Sequence, residues 1–127
     1  MNVPVHDKNL FDGVNCQVDP NNMSDLERKH IPVIDAPDVV TKGQRFEATV
    51  EVGRNTDPPT ATDHFIGFID LYADETYLGR ADFIGRAVLP KVVFSIVPRR
   101  PFRELRALAH CNQHGTWEGT RPIEFQA

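Results

Sequence analysis

The chain has 127 residues, a formal net charge of -4, 40% hydrophobic and 25% charged residues. That length holds one domain with one core, and the acidic balance argues against nucleic acid or an anionic membrane as partner. No apolar run reaches the ~20 residues of a membrane span, and the N-terminal stretch has neither a basic start nor an apolar signal core, so a cytoplasmic protein is expected.

Residues 1–23 follow neither a helical nor a two-residue period, and Asp19-Pro20-Asn21-Asn22 is a turn cluster; they read as an arm attached to a domain of residues 24–127. Ser24-x-x-Glu27 has the form of a capping box, enough to start one helical turn before Pro32 stops it, which would leave Lys29 and His30 in a loop. After an extended segment and a Lys42-Gly43 turn, Phe46, Ala48, Val50 and Val52 alternate with Glu47, Thr49 and Glu51, predicting a strand with one face in the core. Residues 53–62 are a polar loop containing Pro58-Pro59. Residues 64–72 are apolar on both faces, as in a central strand, with His64 at its mouth. A hairpin at Ala73-Asp74-Glu75 leads into a strand over 77–84, and another covers 91–97.

Beyond the break at 98–101, Leu105, Ala107, Ala109 and Cys111 share one strand face and Arg106, Leu108 and His110 the other, so His110 should point away from the Cys111 sulfur. Cys111-Asn112-Gln113-His114-Gly115-Thr116-Trp117 follows. A thiolate and an imidazole three residues apart can close on one metal ion across a tight turn, and Trp117 could shield such a site from water. A buried cysteine beside a surface histidine fits that spacing equally well. Cys16 and Cys111 are too few for a disulfide framework and read as free thiols. A last strand is expected over 117–125. About seven short strands, with no helix longer than a turn, predict an all-β, immunoglobulin-like sandwich, with a small open barrel as the competing architecture.

Taken together and in order, Lys29-His30-Ile31-Pro32-Val33-Ile34, Asp63-His64-Phe65-Ile66 and the Cys111 to Trp117 motif resemble the superoxide reductases, that is, the iron domain of desulfoferrodoxin and neelaredoxin. The resemblance implies an immunoglobulin-like sandwich holding mononuclear iron, with His30 and His64 as planar imidazole ligands, Cys111 as axial thiolate and His114 as a further imidazole. It also implies that Lys29 lies near an open face where superoxide reacts, that a small electron donor such as rubredoxin supplies the electron, and that the protein is a homo-oligomer. An ammonium beside a shallow metal site concentrates a small anion and stabilises negative charge on it.

The sequence also departs from the family pattern. Pro58-Pro59 stands where the family has a His-Pro dipeptide, and proline offers no side-chain donor. Asn55, Asp57, Asp63, water or His6 of the arm are candidates for that place. The acidic residue that many members carry just before the lysine is Arg28 here, with Glu27 one position earlier. The four-cysteine iron domain of the longer members is absent from this sequence, so one metal centre is expected.

Three histidines and a cysteine allow two chemistries. Iron with an open position would donate one electron to superoxide, assisted by the thiolate. Zinc would close a tetrahedral, redox-inactive site with the same four donors. The resemblance favours a superoxide reductase-like oxidoreductase. Its alternatives are a metal-binding member without turnover and a metal-free interaction module.

Overall fold

Alternation with a period of two builds both layers of the computed structural model, which describes residues 13–85 and 87–127. In chain order the elements are β1 (Val14–Asn15), α1 (Asp25–His30), β2 (Pro32–Asp35), β3 (Val39–Thr41), β4 (Phe46–Val52), β5 (Ile66–Ala73), β6 (Thr76–Asp82), β7 (Lys91–Ile96), β8 (Glu104–Cys111), β9 (Gly115–Pro122) and β10 (Glu124–Gln126). One sheet has the order β1-β9-β8-β5-β6, a second β2-β4-β7, and β10 pairs with β3 alone. Ala48 and Val50 of β4 join Ile69 and Leu71 of β5 and Leu105, Ala107 and Ala109 of β8 in one core, and all seven are fully buried. Each of the larger aliphatic side chains contributes about 2 kcal/mol by leaving water. The molecule is therefore an all-β sandwich. The seven strands of four or more residues match the number expected, and the three others described are short pieces at the margins.

The inward row of β8 ends in Cys111, which puts its sulfur at one end of the core. His110 faces the other way. Its ring stacks on Phe68 at 5.1 Å, and its Nδ1 lies 3.0 Å from Thr116 Oγ1. Long side chains of the neighbouring strands cover the outer face of β5: the Arg80 guanidinium sits 3.8 Å over the Phe68 ring, held there by bonds of 2.7 and 2.9 Å to the buried Asp70 carboxylate, and that of Arg106 lies 4.9 Å over the Tyr72 ring.

Three expectations need correction. The capping box is present, with Ser24 Oγ accepting from Glu27 N and Glu27 Oε1 accepting from Ser24 N. The helix it starts, however, runs to His30 before the extended Ile31 ends it ahead of Pro32, so His30 is helical and buried rather than in a loop. The strand expected from residue 64 begins at Ile66, which leaves His64 in the loop, bonded through its backbone to Ala61. The C-terminal strand is two strands. Pro122 has no N–H to continue the ladder, Ile123 N turns to Arg103 O, and β10 joins β3 in parallel.

The described part of the arm is docked. Val14 and Asn15 pair in parallel with Thr116 and Trp117, and Val18 N donates to Glu27 Oε2 at 2.9 Å. Glu27 is thus engaged by the helix start and the arm. His6 lies outside the described residues.

Candidate metal centre

Four of the side chains singled out in the sequence converge at the end of the sandwich where β8 turns into β9. One ligand-capable atom from each of His30, His64, Cys111 and His114 lies within 4.8 Å of all the others. Each arrives on a different local device. His30 comes from the last turn of α1, His64 from the loop before β5, Cys111 from the end of β8, and His114 from the turn that Gly115 closes with a φ of 79°. Asp57 and Asp63 are exposed and do not belong to this cluster, and Asn55 is an exposed residue with a φ of 59° in the preceding loop. Pro58 is packed against Gly53, where an added Cβ would come within 2.5 Å of the proline Cβ.

The orientation of His30 is the most informative detail. Its Nδ1 donates to Leu26 O at 2.8 Å, so Nε2 carries the lone pair. That Nε2 is buried and has no hydrogen-bond partner. An orphaned acceptor in a core is costly, and a metal ion among the other three donors would satisfy it. His64 Nε2 and His114 Nδ1 approach to 3.0 Å, and Cys111 Sγ lies 3.8 Å from the same His114 nitrogen. Three imidazole nitrogens and a sulfur gathered this closely fit a transition metal; carboxylate-seeking calcium or magnesium would be ill served.

The surroundings grade the site from dry to wet. His30 and Cys111 are buried, His64 and His114 half-buried. Trp117 lies beneath, its ring 5.2 Å from that of His30 and its Nε1 donating to His114 O at 3.0 Å, so one side chain braces two donors as well as excluding water. Burial raises the Cys111 thiol, opposed by the backbone N–H groups of Gln113 and His114, so a cation is what would stabilise the thiolate. Burial, followed by His114, lowers His64. Lys29 is exposed on α1 and its charge reaches both His30 and His64.

Burial pushes His30 down from 6.5 to about 4. The unfolded metal-free chain takes up that proton near pH 6.5 and the folded one only near pH 4, so the stabilisation is complete above this window and lost as pH falls through it. One group shifted so far accounts for at most about 3 kcal/mol. Metal-free protein should therefore show a lower urea midpoint at pH 4.5 than at pH 7, and His30→Asn should flatten that dependence. Equal slopes in the two proteins would remove His30 as its source.

Sequence reasoning did not reveal the roles of Leu26 O, Asn112 and Gln113. Asn112 Oδ1 accepts from Phe65 N at 2.8 Å, its Nδ2 donates to Asp63 O at 3.0 Å, and Gln113 Nε2 donates to the same carbonyl at 2.6 Å. Asparagine directly after a candidate cysteine ligand is a usable signal, because its short amide bonds readily to nearby backbone.

Residues 22–120 match the family model described as Desulfoferrodoxin. A protein of Methanocaldococcus jannaschii, provisionally named a superoxide reductase, is 36% identical over 105 residues, 79% of this chain and 86% of that one. The superoxide reductase of Pyrococcus furiosus is 28% identical over 113 residues, 76% of this chain and 89% of its own. Among solved structures, the superoxide reductase (neelaredoxin) from Ignicoccus hospitalis superposes with a TM-score of 0.68 at 32% identity, covering 76% of this chain and 81% of that one. A family match over most of the sequence, relatives that span most of their own length and a shared all-β architecture lead to one conclusion: the chain belongs to the desulfoferrodoxin family.

Proposed function

We propose that the protein is a superoxide reductase in which His30, His64, Cys111 and His114 hold mononuclear iron. The observation that carries this reading is the buried, partnerless Nε2 of His30 aimed into a cluster that also presents His64, Cys111 and His114. The reaction consumes one superoxide, one electron and two protons and releases hydrogen peroxide. Iron bound there would supply the electron, cycling between its ferrous and ferric states. The protein's own groups do the rest. Cys111 contributes anionic sulfur from the dry side, which favours electron donation. His64 and His114, half-exposed, leave the site open to a diatomic anion. Lys29 draws that anion in and offsets its charge. Trp117 keeps water from the buried donors.

A small electron carrier such as rubredoxin is the proposed donor, and a cytoplasmic homo-oligomer, built of domains of residues 24–127 each with an arm of residues 1–23, is the proposed assembly. No helix among the described residues is long and apolar enough to cross a membrane.

Protein purified without oxygen and supplied with reductant should consume superoxide and yield one peroxide per superoxide. Dismutation, at half that peroxide yield, or no consumption by iron-loaded protein would contradict the reading. Lys29→Ala should slow the second-order step by about tenfold, the lower end of electrostatic steering, with metal content unchanged, and added salt should slow the wild type more than the variant. Identical rate constants in the two proteins would exclude Lys29 from the mechanism.

A further inference from the structure

The two residues between Cys111 and His114 are more than a spacer. Their side chains reach across to a segment about fifty positions earlier in the chain and grip the peptide groups on both sides of His64. Asn112 Oδ1 takes Phe65 N, while Asn112 Nδ2 and Gln113 Nε2 both take Asp63 O. Asn112 N adds a bond of 3.2 Å to Phe65 O. His64 needs such support. It lies outside β5, at the end of the polar loop, and among the described residues its own backbone bonds run only to Ala61. Its imidazole is half-exposed, so packing alone does not hold it. We propose that Asn112 is a positioning residue: it ties the loop carrying His64 to the turn carrying Cys111 and His114, setting the spacing between these donors. This rests on the reading of His64 as a ligand. Because both Asn112 bonds flank a single residue, the clamp constrains the backbone of His64 directly. Gln113 duplicates only the bond to Asp63 O, leaving the one to Phe65 N to the Asn112 side chain.

The test compares wild type, Asn112→Ala, Asn112→Asp and His64→Ala, each loaded with iron and then exposed to an excess of chelator, and each also loaded with cobalt(II) for its visible spectrum. Asn112 is exposed and outside the core, so the variants should fold, which thermal melts of the metal-free proteins verify. Asn112→Ala should release iron about tenfold faster than wild type, the lower end of what loss of a ligand's supporting partner costs. Its cobalt ligand-field bands should shift toward those of His64→Ala, while the thiolate-to-cobalt charge-transfer band remains. Asn112→Asp keeps the acceptor for Phe65 N, and Gln113 still holds Asp63 O, so it should recover most of the wild-type retention. Release from Asn112→Ala at the wild-type rate, with His64→Ala clearly faster, would overturn the clamp and leave the ligand assignment standing. Release from His64→Ala at the wild-type rate would overturn the ligand assignment, and the clamp with it.

Discussion

Cys111→Ser should remove the thiolate-to-iron charge-transfer colour of the oxidised protein and, with it, superoxide consumption. The serine hydroxyl is neutral at any working pH and a harder, weaker donor than sulfur, so the metal loses both its anionic ligand and the electron density that ligand supplies. Loss of an outer supporting partner already costs about tenfold or more in metal affinity, and losing a ligand should cost more. Cys111 is fully buried at the end of the inward row of β8, but the backbone N–H groups of Gln113 and His114 face its sulfur, so a serine oxygen there would not be left unsatisfied. The fold should therefore survive while the colour does not. Absorption spectra of wild type and variant after oxidation check this directly. An unchanged band would place the thiolate elsewhere.

Pro58→His should act in the opposite direction. The four donors of the cluster include none from residues 53–62, and Pro58 can offer none. With Pro59 behind it the backbone stays extended, and a histidine would add an imidazole to the loop that already leads to His64. Iron bound per chain after dialysis against chelator should rise by about tenfold in retention half-life, and superoxide consumption should rise with it. Parent protein that already retains one iron per chain through the dialysis, with no gain in the variant, would mean that another group completes the site.

Short-range rules made part of the site's geometry legible in the sequence, while the donor set of His30, His64, Cys111 and His114 came from the family resemblance. Alternation along β8 places Cys111 inward and His110 outward, and the structure keeps that parity through eight residues. The Ser24-x-x-Glu27 box is likewise a local rule, and it forms as expected. What local rules do not supply is distance across the fold. A helix extending to His30 depends on tertiary burial of that ring, which a weak six-residue helix does not announce. Glu27 is acidic and close to Lys29 in sequence, yet its carboxylate is engaged by Ser24 N and Val18 N at the helix start and the arm. The partners of Asn112 and Gln113 lie 47 to 50 residues away, beyond the reach of spacing arguments. The strand expected over 117–125 ran straight through Pro122, although proline has no N–H for the ladder, and it is at that residue that β9 ends.

X-ray absorption at the iron edge of the oxidised wild-type protein tests the central claim most directly, because it counts the donors around the metal without reference to activity. The account predicts one iron per chain with a single sulfur scatterer and the multiple-scattering signature of three imidazoles. Iron surrounded only by light atoms, with no sulfur in its first shell, would contradict it.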